Sequence, residues 1–175
     1  RRWFEIDYLN ISFGVCNSEE AIRKKGKWFP YNKGGGYRKW YGNNEFLLNW
    51  YLNGKEIKSL KPKSVIRNES YYFKRGMTWS AISSGNFSGR YSDFGFLFDS
   101  KGPVLYSHEE SHLGRIMALL NSKVGNYFFS IISPTMDFNQ GPVSKIPLSK
   151  SVFELNEYFF ALAIKLSRKD WDSRE

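Results

Sequence analysis

The residues best placed to do chemistry are the two histidines of His108-Glu109-Glu110-Ser111-His112. Four residues apart on a helix, two imidazoles share a face and can hold one zinc ion while the intervening glutamate activates water. A catalytic zinc usually takes a third protein ligand, and these are the only two histidines in the chain. The same letters have a structural reading. Ser107 and Glu110 match a capping box, in which each side chain satisfies a free backbone N–H of a first helical turn. A zinc hydrolase using His108, Glu109 and His112 is one expectation, and an exposed, capped helix start is the other.

Other catalytic patterns are incomplete. The run Gly34-Gly35-Gly36 lacks the Lys-Ser/Thr ending of a phosphate-binding loop, and no dinucleotide fingerprint is present. Glu56-Ile57-Lys58 offers half of a nuclease-like acidic signature without an upstream Pro-Asp, so a turn followed by an exposed strand is expected there. No Gly-x-Ser-x-Gly elbow occurs, and Cys16 has no evident histidine partner. No catalytic residue, resident cofactor or metal ligand is therefore assigned to this chain.

Three segments instead combine cations, small polar residues and rings in the way nucleic-acid surfaces do. In Lys27–Trp50 the glycine run allows close backbone approach to a phosphate, and Lys33, Gly34, Gly35, Arg38 and Lys39 are the candidates. In Phe73–Tyr91, Lys74, Arg75 and Arg90 suit phosphates, while Thr78, Ser83, Ser84 and Asn86 suit base edges or loop backbone. In Pro134–Pro147, Asn139 and Gln140 suit adenine or backbone contacts.

The elements that must position these residues are read from periodicity. "RRWFEIDYL", "NEFLLNWYL" and "SYYFKRGMTW" read as strands, with a turn at Asn53-Gly54. "FGFLFDSKGPVLYS" reads as a hairpin or bent strand pair through Lys101-Gly102-Pro103, and "SSGNFSGRYSD" as a loop. Leu113, Ile116, Met117, Leu120, Val124, Tyr127, Phe128 and Ile131 recur at helical spacing, with a break near Asn121-Ser122 and an end at Pro134. "DFNQGPVSKIPLSK" reads as a loop with a short extended piece. A Ser151/Glu154 capping box then opens a last helix, whose apolar face is Leu155, Phe159, Leu162 and Leu166.

Composition bounds the whole. A chain of 175 residues fits one α+β unit. Its net charge of +9 and aromatic content of 18% favour a polyanionic partner. The lone Cys16 excludes an internal disulfide and suits a reducing cytosol, so a cytoplasmic location is expected. No apolar run reaches the ~20 residues of a membrane span, and no membrane partner is expected. The start lacks an initiator methionine, and the chain reads as a piece of something longer.

The strings "WFPYNKGGGYRKWYGNNEFLLNW", "VIRNESYYFKRGMTWSAISSGNFSGRY", "LLNSKVGNYFFSIISPTMDFNQGPVSKIPLS" and "DWDSRE" together resemble one family. It is the C-terminal target-recognition region of PglX-type adenine-specific DNA methyltransferases of BREX phage defence. The likeness extends to fused type IIG restriction–modification enzymes and, distantly, to type I specificity subunits. It implies a mixed, mostly antiparallel sheet packed with C-terminal helices. Residues 1–150 would be the DNA-binding domain, and 151–175 a helix leading to the rest of the parent. The parent would methylate adenine N6 with S-adenosylmethionine at an upstream Asn-Pro-Pro-Tyr motif, absent here. The implied partners are duplex DNA, the catalytic region of the same chain, and other defence proteins or phage DNA mimics. "HEESH" falls where the likeness is loosest, which favours the capping reading; a protein-interaction module is a further alternative.

Overall fold

The computed structural model describes residues 1–135 and 137–173. Met136, in the third nucleic-acid-like segment, and Arg174 and Glu175, the end of "DWDSRE", lie outside the described residues. The class is α+β, as expected. In place of one unit the chain forms two, each with its own three-stranded sheet and core. Unit 1 comprises Arg1–Lys33, Asn44–Arg75 and Asp93–Asp99; unit 2 comprises Gly34–Asn43, Gly76–Ser92 and Ser100–Glu175.

In unit 1, β1 (Trp28–Asn32) is the central strand. It pairs antiparallel with β2 (Leu47–Asn49) and parallel with β5 (Leu97–Phe98). Helix α1 (Ser18–Arg23) packs against α2 (Tyr51–Ser59). Phe29, Trp50, Phe73 and Leu97 form the buried centre, joined by Val15, Ala21 and Tyr72. Two readings change here. "RRWFEIDYL" forms short 3-10 turns at Trp3–Glu5 and Tyr8–Asn10 in place of a strand, because Asp7 caps the second turn by accepting from Leu9 N–H. The Asn53-Gly54 signal does mark a turn, with Leu52, Asn53 and Gly54 all left-handed. Glu56 and Lys58, expected on a strand, lie instead on the helical end of α2.

In unit 2, β3 (Gly76–Trp79) lies between β4 (Gly89–Ser92) and β6 (Val104–Leu105), both antiparallel to it. The two runs read as one hairpin thus enter different sheets, β5 in unit 1 and β6 in unit 2. "GRYS", read as loop, is β4: its residues alternate, with Tyr91 packed against the core and Arg90 on the opposite face. The apolar face carries Met77, Trp79 and Phe87 onto Leu113, Met117 and Leu120 of α3 (Glu110–Asn121) and Phe129 of α4 (Lys123–Ile132). The expected break at Asn121-Ser122 is present, and Ser122 caps α4 by accepting from Gly125 N–H at 3.0 Å. "DFNQGPVSKIPLSK" holds a short helix, α5 (Gln140–Ser144), with Val143 and Ile146 in the core.

The last helix, α6 (Glu157–Asp172), starts later than the capping box implied. Asn156 is its cap, and residues 150–154 form a 3-10 turn. Its buried face is also different. Phe160 and Ile164 pack inward on α3, whereas Leu155, Phe159 and Leu166 are exposed. Gly114 of α3 decides this, since its bare backbone receives the Phe160 ring: a Cβ there would lie 2.1 Å from Phe160 Cε2. Among the described residues, no helix is long and apolar enough to cross a membrane.

Candidate nucleic-acid interface

Unit 2 gathers parts of all three nucleic-acid-like segments. Its centre is the exposed loop Ile82–Asn86, held on a rigid stem. On the entering side, Ala81 N–H donates to Lys101 O at 3.0 Å, and Ala81 O accepts from Phe138 N–H at 2.7 Å. Trp79 Nε1 also donates to Phe138 O at 2.6 Å. On the leaving side, Phe87 is fully buried and stacks on Phe129 with ring centroids 4.6 Å apart. Ser84, Gly85 and Asn86 project from this stem into solvent, with Ser83 half-buried.

Two further loops flank that tip. Ile82 bridges to Asp137, which brings exposed Asn139 and Gln140 alongside; Asn139 Nδ2 donates to Asp137 Oδ2 at 2.8 Å. Exposed Tyr37, on the far end of the glycine run, approaches Gly85 so closely that a Cβ there would touch Tyr37 Cδ2 at 3.7 Å. Ser83, Ser84, Asn86, Asn139, Gln140 and the Tyr37 ring therefore share one neighbourhood. Sequence reasoning missed Tyr37, although "GGGYRKW" places a ring beside flexible backbone, as stacking platforms need.

The glycine run is wound tightly against its own chain. Gly34 and Gly35 have φ of 84° and 145°. A Cβ would meet Lys101 O at 2.9 Å on Gly34, and Asn43 Nδ2 at 2.7 Å on Gly35. The carbonyl of Gly35 accepts from Ser80 Oγ at 2.8 Å, and that of Gly36 accepts from Asn43 Nδ2 at 2.8 Å. No side chain fits at Gly34 or Gly35 without a collision, while Gly35 and Gly36 face solvent.

Four of the expected contact residues are engaged by other parts of unit 2. Arg38 hydrogen-bonds Tyr41 O through Nε at 3.0 Å, pairs with Asp170 through Nη2, and covers the Trp171 ring at 4.9 Å. Lys39 Nζ donates to Asn121 O at 2.7 Å, satisfying a carbonyl at the C-terminus of α3. Both cations fasten the glycine loop to helices. Thr78 and Arg90 are buried at 3% and 1% exposure, so neither lies at the surface. Thr78 Oγ1 donates to Pro103 O at 3.0 Å. Arg90 shares its sheet face with Thr78, Ser80, Ser88 and Ser92, and its bonds to Ser80 Oγ and Ser88 O are long, at 3.3 and 3.5 Å. Burial lowers its pKa to about 10, so it stays charged at neutral pH.

Lys33, Lys74 and Arg75 belong to unit 1. Each lies over a ring: Lys33 at 5.0 Å from Phe46, Lys74 at 5.0 Å from Tyr71, Arg75 at 4.3 Å from Phe94. Arg75 Nε also pairs with Asp93 at 3.1 Å. Lys33 and Lys74 are exposed.

The zinc pattern does not assemble as a helical pair. The helix begins at Glu110, so His108 precedes it, and only His112 lies on α3. His112 Nε2 approaches Glu109 Oε2 at 3.1 Å while its ring packs edge-on to Phe153. Among the described residues, no three His, Cys, Asp or Glu side chains are grouped to hold a metal ion. Ser107 accepts from Glu109 N–H at 3.2 Å, a local turn in place of the full capping box.

The fold and site define an α+β protein that presents a polar, ring-bearing loop cluster from a basic chain. No family model matches it. Two proteins are similar to its whole length. Adenine-specific methyltransferase PglX of Lacticaseibacillus casei (strain Zhang) is 43% identical over 185 residues. Adenine-specific methyltransferase BrxX of Escherichia coli O9:H4 (strain HS) is 39% identical over 178 residues. The chain spans only 15% and 14% of the length of these relatives.

Proposed function

We propose that this chain is the part of an adenine-specific, BREX-type DNA methyltransferase that recognises the target sequence in duplex DNA. The observation carrying the reading is the convergence of Ser83, Ser84 and Asn86 with Asn139, Gln140 and Tyr37 on one exposed surface of unit 2. Amide side chains pair bidentately with adenine N6 and N7, and hydroxyls serve either base of a pair. A rigid stem under an exposed tip keeps these donors and acceptors in fixed register, which direct readout needs. The whole-length similarity to two methyltransferases supports the same reading.

Methyl transfer then belongs to the remainder of the parent protein, which would bind S-adenosylmethionine and the extruded adenine. The glycine run lacks the pattern of a nucleotide-phosphate loop, and no step is assigned to it. Basic surface outside the reading loop holds the phosphates, and an acidic DNA mimic would compete for it. Fluorescence-anisotropy titration of the full-length protein tests the reading. A duplex carrying the methylation site should bind more tightly than a scrambled duplex, and Asn86→Ala should shrink that preference by about 1–3 kcal/mol. Equal affinity of the unaltered protein for both duplexes would refute it.

A further inference from the structure

Unit 1 carries a cluster of cations that the loop cluster does not use. From Ile57 to Asn68 the chain holds Lys58, Lys61, Lys63 and Arg67 and no acidic residue. The flanking acids are engaged: Glu56 accepts from Asn49 Nδ2 at 2.6 Å, and Glu69 pairs with Lys58 at 2.6 Å. Lys55, Lys61, Lys63 and Arg67 are exposed and form no ion pair among the described residues. Lys24 and Lys25, also exposed, come directly after α1, which packs on α2. Four arginines, Arg23, Arg38, Arg75 and Arg115, each have a carboxylate partner by comparison.

The cluster is held in shape. Ser64 N–H donates to Leu60 O at 3.2 Å, and its hydroxyl donates to Ile57 O. The turn carrying Lys61 and Lys63 is thereby closed at its base. Unpaired like charges repel one another, and a polyanion that releases its counterions relieves the repulsion. Single-stranded nucleic acid is gripped through ring platforms, yet no aromatic residue lies between Tyr51 and Tyr71. A membrane surface would call for an amphipathic helix, whereas α2 is nine residues long and starts in left-handed conformation.

We propose that the Lys55–Arg67 surface of unit 1 binds the sugar–phosphate backbone of duplex DNA without regard to sequence. This rests on the reading of the chain as a DNA-recognition region, and adds a hold distinct from the base-reading loop. The test is anisotropy of the full-length protein on site-bearing and scrambled duplexes over a range of salt. Replacing Lys55, Lys61 and Lys63 together by Gln should weaken both duplexes by a similar factor. It should also lower the slope of log affinity against log salt by about 2–3, leaving the ratio between duplexes unchanged. Replacing the same three by Arg should keep the slope. An unchanged slope in the Gln variant overturns the proposal, as does a loss confined to the site-bearing duplex. Capture by phosphatidylserine vesicles that the Gln variant loses while its DNA slope stays intact would assign the surface to membrane and overturn it too. Absence of any preference in the unaltered protein would instead strike at sequence recognition, leaving the slope to decide this inference.

Discussion

Asn121 holds more of unit 2 together than its place in a short "LLNSK" string announces. Its amide makes two bonds to one backbone residue, accepting from Gly89 N–H at 2.8 Å and donating to Gly89 O at 3.0 Å. Its own carbonyl takes the Lys39 ammonium. Asn121→Ala leaves the buried Gly89 N–H without its acceptor, while Gly89 O keeps the Trp40 N–H at 2.8 Å, and should cost about 1–3 kcal/mol of stability, read by chemical denaturation. Lys39→Met should cost less, since Asn121 O loses one donor only. Arg38→Ala and Asp170→Asn should be non-additive in a double-mutant cycle, with coupling of roughly 0.5–1 kcal/mol for so exposed a carboxylate. Tyr72 carries a pH signature. Burial first, then the Glu69 and Asp99 carboxylates, push its phenol up to about 12. The unfolded chain loses that proton near pH 10 while the folded protein keeps it. The stabilisation is thus complete below pH 10 and is lost as pH rises from 10 to 12. Denaturation midpoints across that window should fall, and Tyr72→Phe should flatten the part of the fall due to this group.

Packing between elements explains where sequence patterns succeeded and where they misled. The buried face of α3 was legible because Leu113, Met117 and Leu120 recur at the period of a helix. In α4, by contrast, the expected Val124, Tyr127 and Ile131 are exposed, and Phe129, outside that stripe, is the buried ring. The stripe expected for the last helix misled: Leu155 precedes α6, Phe159 and Leu166 are exposed and Leu162 is half-buried, because Phe160 fills the notch at Gly114. Which stripe is buried depends on a glycine more than forty positions away, and periodicity carries no trace of it. Gly114→Ala should therefore destabilise the α3–α6 contact more than helix propensity, which favours Ala, would gain. Phe87→Ala should be severe, about 3–5 kcal/mol, because the ring is fully buried against Trp79, Phe129 and Phe138. The first result that would count against this packing is an unchanged melting temperature in Gly114→Ala.

At the scale of the whole molecule, the chain interleaves two units, leaving and re-entering each of them. That arrangement hid from a linear reading, since apolar runs adjacent in sequence, β5 and β6, serve different sheets. The candidate site was legible in part. Ser83, Ser84, Asn86, Asn139 and Gln140 were marked by residue type and come together in unit 2. Arg38, Lys39 and Arg90 were marked by charge alone, and charge does not disclose that Asp170, Asn121 O and a buried sheet face take them up. The central claim is that the Ile82–Asn86 loop chooses the DNA sequence. Long-read mapping of adenine methylation, in cells carrying the full-length protein with Ser83→Ala and Asn86→Ala, tests it most directly. The account predicts an altered or relaxed motif, with the protein still folded by its melting curve. The original motif, methylated to the same extent, would contradict it.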